Sequence, residues 1–224
     1  MNKLFTAFDP VSKNKWLKKI NIDLKGNTEK LISTIEEIII DPIYHADDNF
    51  KTYNSNFPST WESYQLIDAT NAATANERAL LAIKNDISGL CFSNPNNLGV
   101  LLKDIKIEHI RIDFTKYKPS FPEIWKEYTL GKEIQGAFHG TEKVRITNFL
   151  DTIFAKGKTA KDQILSAYNQ AKNEKNCSQF YFNIGSNFFI EIAKLKAFRI
   201  LWESKKGVTP FIFANTTLQN KEEG

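Results

Sequence analysis

The sequence predicts an α/β fold with parallel strands, and three observations support that prediction. The 224 residues are 42% apolar and 25% charged, which is typical of a globular chain with its own core and excludes collagen-like and disordered chains. After residue 60, short apolar runs alternate with amphipathic helical patterns across short connections. Several runs are apolar throughout, as in a sheet that is covered on both faces. This order implies parallel strands with right-handed crossovers.

The first 60 residues contain one clear helix and one ambiguous segment. A helix is predicted over residues 12–26, since Ser12 can cap its first turn and Gly26 can end it. Residues 31–44 fit either a helix or a short strand that Pro42 ends.

A linker separates this segment from the alternating region. Residues 45–60 contain three Asn, two Asp, two Ser and one Pro, which are residues typical of turns and loops. We therefore predict two domains, an N-terminal arm with its linker over residues 1–60 and a second domain over residues 61–224.

The second domain is predicted to alternate strands and helices. The strands cover residues 64–69, 89–93, 109–114, 133–138, 180–184 and 209–214. The helices cover residues 71–86, 97–104, 144–155, 159–173 and 186–204, and a long loop with a short helix falls between 115 and 145. Six such strands fit either a doubly wound sheet or most of a (β/α) barrel. A full barrel typically needs about 250 residues, so a closed eight-stranded barrel is not expected from this chain alone.

Charge and cysteine content restrict the class of protein. The net charge of +4 is spread along the chain without a run of five like charges, so no nucleic-acid-binding or lipid-binding arm is predicted. No apolar stretch is long enough to span a membrane, and the first residues lack the apolar region of a signal peptide, which makes the cytoplasm the expected location. Cys91 and Cys177 lie in or beside apolar runs and are expected to be buried thiols.

Common active-site motifs are absent from the sequence. It has no glycine-rich nucleotide loop, no cysteine pair for zinc and no G-x-S-x-G nucleophile turn. His45, His109 and His139 are far apart, so each is interpreted as a surface or strand-end residue and no metal site is predicted. Asp68 and Asp113 lie near strand ends, where barrel enzymes carry catalytic groups. Neither has an obvious charged partner, and both could instead be cap or loop residues.

The longest predicted helix carries an apolar stripe whose spacing indicates a core or interface face. The stripe consists of Phe188, Ile192, Leu195, Phe198 and Trp202. Glu191 and Lys194, three residues apart, are predicted to form a surface ion pair.

Residues 182–202 closely resemble a signature of the methylmalonyl-CoA mutases, which reads approximately F-F-x-E-I-A-K-[LF]-R-A-x-R-x-L-W. The matching residues are Phe188, Phe189, Glu191, Ile192, Ala193, Lys194, Ala197, Arg199, Leu201 and Trp202. Lys196 replaces the usual Arg. The resemblance covers roughly residues 5–114 and 180–220, whereas 115–179 match poorly.

Four shorter stretches add to this resemblance. Residues 8–26 are similar to the N-terminal arm of the family, and 40–48 are similar to the P-x-Y-x-x-[ED]-D segment that follows it. Residues 61–81 resemble the first barrel strand and helix of the small, β-type subunit. Residues 211–217 resemble a strand that often reads H-x-x-T-S.

The resemblance implies an isomerase family that interconverts methylmalonyl-CoA and succinyl-CoA by adenosylcobalamin radical chemistry. Its catalytic subunit has a TIM barrel and a cobalamin domain, and heterodimeric members add a small subunit that lacks the catalytic apparatus and wraps its arm around the partner. This chain lacks the cobalamin motif D-x-H-x-x-G, because Ala137 and Phe138 precede His139, and it is expected to end before the last barrel strands. We therefore expect an incomplete or modified TIM-like barrel without a cofactor, and adenosylcobalamin on a partner subunit.

The expected function is that of a small-subunit-like, non-catalytic mutase component. The substrate-facing candidates are Asp68, Asp113, Asn183, Asn215, Thr216 and Thr217. The partner-interface candidates are Leu4, Phe5, Phe8, Trp16, Leu17 and Ile20. These six expose much apolar surface for a solitary arm, unless the arm folds back on its own barrel.

The expected partner is the large catalytic subunit or a second copy of this chain, with a CoA ester as candidate ligand. Open strand edges also favour association. One alternative is a stand-alone barrel remnant that binds an acyl-CoA without catalysis. Another is a small acyl-CoA enzyme that uses Asp68 or Asp113.

Overall fold

The computed structural model describes residues 9–48, 50, 53, 60–140, 149–173 and 179–216. The chain divides into two compact units, Met1–Asn54 and Ser55–Gly224. Within the described residues, the helices are too short or too polar to cross a membrane.

The first unit begins with helix α1, Lys13–Asp23. The Ser12 hydroxyl caps it by accepting a hydrogen bond from the Lys15 backbone N–H at 3.3 Å. Gly26 follows the helix at a φ of +85°, which glycine adopts without strain. The predicted helix and its cap are confirmed, although the helix ends three residues earlier than expected.

The ambiguous segment after α1 is a β-hairpin. Strand β1, Ser33–Ile35, pairs antiparallel with strand β2, Ile38–Ile40, so the strand alternative is right and the helix alternative is wrong. The turn holds Glu36 and Glu37 at φ values of 50° and 66°. A type I′ hairpin turn requires positive φ at both central positions, which disfavours residues other than Gly, Asn and Asp. Two short 3₁₀ helices flank the hairpin, Thr28–Leu31 and Ala46–Asp48.

The second unit is a curled parallel sheet with helices between its strands. The strands are β3 (Tyr64–Asp68), β4 (Gly89–Ser93), β5 (Arg111–Thr115), β6 (Gly136–His139), β7 (Phe149–Phe154), β8 (Gln179–Ile184) and β9 (Phe211–Thr216). Each pairs in parallel with the next along the chain. The helices are α2 (Ala72–Lys84), α3 (Leu98–Leu101), α4 (Phe121–Tyr128), α5 (Ala160–Ala171) and α6 (Phe188–Lys206). The fold is therefore α/β with an N-terminal arm and an incomplete TIM-like barrel, as predicted.

Strand β7 is the main difference from the sequence prediction. The helix predicted over 144–155 is wrong where this segment is described, because Phe149–Phe154 is extended and pairs with β6 and β8. Aromatic and β-branched residues favour a strand here, and periodicity alone does not distinguish a strand from a helix in so short a run. Residues 144–148 lie outside the described residues. The other predicted strands and helices of this unit are confirmed to within a few residues.

Two apolar clusters join the outer face of the sheet to the helices. In the first, Phe114 of β5 contacts Phe121 and Trp125 of α4, each at a ring-centroid distance of 4.8 Å. In the second, Phe180 of β8 contacts Trp202 of α6 at 4.6 Å. Burial of one such side chain contributes about 1.5–3 kcal/mol. These contacts fix the strands and leave their inner face to a different set of side chains.

The first and last strands of the sheet approach each other on its inner face. The rings of Tyr64 on β3 and Phe213 on β9 are 5.1 Å apart, although these are the first and last strands of the sheet. Within the described part of the chain, no strand pairs with the outer edge of either one. Cys91 is buried as predicted, and burial raises the pKa of its thiol. Cys177 lies outside the described residues.

Candidate functional site

A buried polar cluster lies on the inner face of the sheet. This inner-face cluster consists of Arg111, Asp113, His139 and Gln179. The Asp113 carboxylate is 0% exposed, lies 2.8 Å from His139 Nε2 and accepts a hydrogen bond from Arg111 Nε at 3.3 Å. Gln179 Nε2 donates to the same carboxylate at 3.4 Å, while Gln179 Oε1 accepts from Arg111 Nη2 at 2.6 Å. The carboxylate is thus shared among three neighbours.

Three strands bring these residues together. Arg111 and Asp113 are two residues apart on β5 and therefore share its inner face. His139 ends β6 and Gln179 begins β8, so their contacts with Asp113 span 26 and 66 residues. The sequence shows no obvious charged partner for Asp113, yet the structure places Arg111 and His139 against its carboxylate. The alternation of side chains along a strand indicates Arg111, two residues away, whereas nothing in the local sequence indicates His139 or Gln179. His139 lies at a strand end, as predicted.

Aromatic rings pack around His139. The Tyr181 and Phe213 rings lie at centroid distances of 5.3 and 5.1 Å from the imidazole, and the Phe154 ring lies at 6.5 Å. His139 Nδ1 is buried and has no hydrogen-bond partner among the described residues. Burial raises the pKa of Tyr181 to about 12, so its hydroxyl stays neutral at physiological pH. The imidazole and the carboxylate of the cluster are thus engaged with each other in an apolar surrounding.

Asp68, another substrate-facing candidate, organises the turn after β3. Its Oδ1 accepts hydrogen bonds from the Thr70 N–H at 3.1 Å, the Thr70 hydroxyl at 2.8 Å and Asn94 Nδ2 at 3.1 Å. The bonds from Asn94 and Thr70 lower the pKa of the Asp68 carboxyl. These contacts fit the alternative interpretation of Asp68 as a loop residue, with its side chain still exposed.

The carboxyl ends of β8 and β9 bring two more candidates together. Asn183 lies opposite Asn215, and Asn215 Nδ2 donates to Asn183 Oδ1 at 3.1 Å. Thr216 is one position further on, opposite Ile184, and therefore belongs to the other face of the sheet. Thr217 lies outside the described residues. The structure groups Asn183 with Asn215 and does not group Thr216 with them.

Helix α6 contains a buried lysine near its start. Lys194 Nζ lies 2.5 Å from Glu191 Oε2 and donates to Gln163 Oε1 at 2.9 Å and to the Asn183 carbonyl at 2.8 Å. We name these four residues the Lys194 cluster. Lys194 is 2% exposed, so the prediction of a surface ion pair is wrong. Gly185 leaves space for this arrangement, because a Cβ there would lie 3.0 Å from Glu191 Oε1.

The apolar stripe of α6 is divided between core and surface. Phe198 and Trp202 are 0% and 3% exposed, and Leu195 packs against the same cluster. Phe188 and Ile192, nearer the start of the helix, are 68% and 42% exposed. The stripe is therefore core toward the end of α6 and exposed apolar surface at its beginning.

Known proteins match this chain over α6 and beyond it. The methylmalonyl-CoA mutase family model matches residues 173–208. The methylmalonyl-CoA mutase small subunit of Porphyromonas gingivalis is 26% identical to this chain over an alignment 277 residues long. That alignment includes 89% of this chain. The resemblance to the methylmalonyl-CoA mutase family is confirmed. The chain covers 44% of that relative, so it spans less than half of its length.

The mutase signature has a structural explanation in this chain. Its Lys position, Lys194, ties α6 to α5 and to the end of β8. Its Glu position, Glu191, pairs with that lysine within α6. Its final Trp, Trp202, packs against Phe180 in the second apolar cluster. The signature therefore holds one βα unit of the barrel together.

The adenosylcobalamin that the mutase family implies does not fit His139, the histidine compared above with the cobalamin motif. A ligand to cobalt needs a ring nitrogen that the cofactor can reach. The His139 side chain is 2% exposed, and its Nε2 is held by Asp113. Among the described residues, no group of three or more His, Cys, Asp or Glu is arranged to hold a metal ion.

The structure describes three of the six partner-interface candidates on the arm. Trp16 and Ile20 of α1 are half-buried, and Leu17 is 37% exposed. The other three, Leu4, Phe5 and Phe8, lie outside the described residues. Large apolar side chains are exposed throughout the described arm, namely Val11, Ile22, Leu31, Ile32, Ile38, Ile39, Tyr44, Phe50 and Tyr53. Such a density is typical of a surface that a partner covers.

Sequence reasoning missed a contact that organises the arm. The Lys13 backbone N–H donates to Asp47 Oδ2 at 3.0 Å, and Lys13 Nζ lies 2.6 Å from Asp48 Oδ1. The His45 N–H donates to Asp48 Oδ2 at 2.8 Å. We name Lys13, Asp47 and Asp48 the arm clasp. Its signal in the sequence is the adjacent acidic pair, because carboxylates stabilise the amino end of a helix such as α1.

Proposed function

We propose that the chain is a small-subunit-like component of a methylmalonyl-CoA mutase that carries out no chemistry itself. In this proposal, a larger subunit that binds adenosylcobalamin isomerises methylmalonyl-CoA and succinyl-CoA, and this chain pairs with it. The name of the relative that matches 89% of the chain supports the proposal.

The arrangement of the inner face carries the proposal. Barrel enzymes act at the carboxyl ends of their strands, where reactive side chains must be free to meet a substrate. Here the Asp113 carboxylate is fully buried and accepts hydrogen bonds from its neighbours Arg111 and Gln179, with His139 in contact. Both oxygens of this carboxylate are occupied by its neighbours, so neither is free to meet a substrate. Such a cluster suits a scaffold better than a catalytic centre.

The exposed surface of the arm supports the pairing. Ile22 on α1 and Ile39 on β2 are 71% and 67% exposed. An isolated two-stranded hairpin is marginally stable in water, so the β1–β2 hairpin would gain stability from a partner that covers it. Burial of the two isoleucines would contribute about 25 cal/mol for each Å² removed from water.

The experiment that tests the pairing compares apolar-to-charged variants on the two units. Trp16→Asp with Ile20→Asp should abolish co-elution with the cobalamin-binding subunit, because it places two charges on the apolar side of α1. Ile124→Asp with Leu130→Asp changes two residues of the barrel unit that are 50% and 84% exposed, and this control should still co-elute. Far-UV circular dichroism confirms that both variants keep the barrel. Co-elution of the arm variant would contradict pairing through the arm.

A second candidate function is binding of a CoA ester by the isolated chain. The Asn183–Asn215 pair at the strand ends favours it, because both side chains lie at the end of the barrel where ligands bind. Leu66 of β3, on the inner face, is 57% exposed and offers apolar contact. Isothermal titration calorimetry with succinyl-CoA should then show saturable binding that Asn183→Leu with Asn215→Leu weakens. The absence of saturable binding would remove this candidate.

A further inference from the structure

Two polar atoms on the inner face of the sheet are buried and have no hydrogen-bond partner among the described residues. They are Nδ1 of His139, which ends β6, and the hydroxyl oxygen of Thr152 on β7. The His139 side chain is only 2% exposed. A buried polar atom without a partner loses the hydration that it has in the unfolded chain, so folded proteins satisfy nearly all such atoms with protein groups or ordered water.

The strand register brings these two side chains together. Phe138 of β6 is the register partner of Asp151 of β7. His139 and Thr152 each follow that pair by one residue, so they lie on neighbouring strands with their side chains on the same face. Thr152 is also the register partner of Gln179 on β8, and Gln179 Nε2 lies 3.3 Å from His139 Nε2. Both registers therefore place Thr152 beside His139.

The inner-face cluster determines which hydrogen bond His139 Nδ1 can form. His139 Nε2 lies 2.8 Å from Oδ2 of the Asp113 carboxylate, which only accepts hydrogen bonds, so Nε2 carries a proton. Arg111, whose Nε lies 3.3 Å from Oδ1, already supplies the positive charge that balances this carboxylate. A second cation would lie beside it among three aromatic rings, where its hydration is lost. This balance favours a neutral imidazole, whose Nδ1 accepts a hydrogen bond.

We propose that an internal water molecule bridges His139 Nδ1 and the Thr152 hydroxyl. The water donates one hydrogen bond to the imidazole nitrogen and accepts one from the hydroxyl, so both buried atoms gain a partner. The described backbone pairing of β6 with β7 ends one residue before these two side chains. The water continues the connection between the two strands on the inner face and holds the imidazole with its Nε2 toward Asp113.

Water suits this site better than an ion or a larger ligand. An anion would meet the lone pair of Nδ1, and a cation would add to the charge of Arg111 in the same cluster. A metal ion also needs several ligands, and among the described residues no three His, Cys, Asp or Glu are arranged to hold one. A larger ligand would need access, which the nearly complete burial of the His139 side chain prevents.

The test is nuclear magnetic resonance of the isolated 224-residue chain, isotopically labelled at the histidine nitrogens. Nitrogen chemical shifts show which ring nitrogens carry protons, and nuclear Overhauser effects detect a long-lived water beside the ring. We expect His139 to have a protonated Nε2, an unprotonated Nδ1 and a water contact. Thr152→Val keeps the side-chain shape and removes the hydroxyl, so the water contact should be lost and the Nδ1 resonance should move toward that of an imidazole without a hydrogen bond. Thr34→Val, at an exposed position on β1, is the matched control and should change neither signal.

Three outcomes would overturn the water site. Protonation of both ring nitrogens of His139 would remove the acceptor. A water contact that is absent in wild type, or unchanged in Thr152→Val, would contradict the bridge. A crystal structure of the wild-type chain tests the site even if the variant does not fold: we expect an ordered water within about 3.2 Å of both atoms, and a direct hydrogen bond from each atom to a protein group would count against it. These measurements need no second subunit, so their result is independent of the proposed pairing.

Discussion

Replacement of Lys194 by Met should strongly destabilise the barrel unit. The substitution removes the only ammonium of the Lys194 cluster, while Glu191 Oε2, Gln163 Oε1 and the Asn183 carbonyl lose their donor. The side chains of the ion pair are 1% and 13% exposed, so water replaces the lost contact poorly. Removal of one partner from a buried pair costs about 3–5 kcal/mol. Since a domain is stable by only about 5–15 kcal/mol, the loss is a large fraction of the total.

Urea unfolding followed by far-UV circular dichroism measures this loss. With a slope of about 2 kcal/mol per molar urea, the midpoint should fall by about 1.5–2.5 M. Lys205→Met, an exposed position on the same helix, is the matched control and should change the stability by less than about 0.5 kcal/mol. Glu191→Gln with Lys194→Met should be more stable than Lys194→Met alone, because it leaves no unpaired buried charge. A loss below about 1 kcal/mol for Lys194→Met, or a double variant less stable than the single one, would refute the buried pair.

Three further predictions concern the inner-face cluster and the arm. Asp113→Asn leaves the guanidinium of Arg111, whose side chain is 11% exposed, without its counter-charge and should lower the free energy of unfolding by about 3 kcal/mol. An unchanged urea midpoint would contradict this. Glu36→Asn with Glu37→Gly should stabilise the hairpin by about 1 kcal/mol, seen as slower hydrogen exchange in β1 and β2, and faster exchange would count against the strained turn. The hydrogen bond from Lys13 lowers the pKa of Asp48 below its ordinary value of 3.8, so the clasp should be complete above that value and lost as the pH falls through the lowered pKa. Loss of protection in α1 at a higher pH would disprove that assignment.

Much of the barrel could be predicted because its signals are local. Thr159 caps the start of α5, because its hydroxyl accepts a hydrogen bond from the Asp162 N–H, and Gly207 follows the end of α6 with a φ of +70°. Strand β7 could not be predicted in the same way. Its six residues, Phe149–Phe154, carry no periodicity that distinguishes a strand from a helix, and only its pairing with β6 and β8 decides.

The candidate site was predicted less well, because its contacts are distant in sequence. Asp113 was identified as a strand-end candidate, but its partners His139 and Gln179 depend on how three strands align. The contact of Glu191 with Lys194 follows from helical spacing, whereas the burial of Lys194 depends on the packing of α5 and β8 around α6. Pair spacing in a helix predicts which residues meet and does not predict whether water reaches them.

The pairing of this chain with a catalytic subunit is tested most directly by its mass in solution. Size-exclusion chromatography with light scattering would be run on the 224-residue chain alone and after mixing with the cobalamin-binding mutase subunit from the same source. We expect a stable one-to-one complex whose mass is the sum of the two chains. Separate elution of the two proteins at their individual masses would contradict the proposed function.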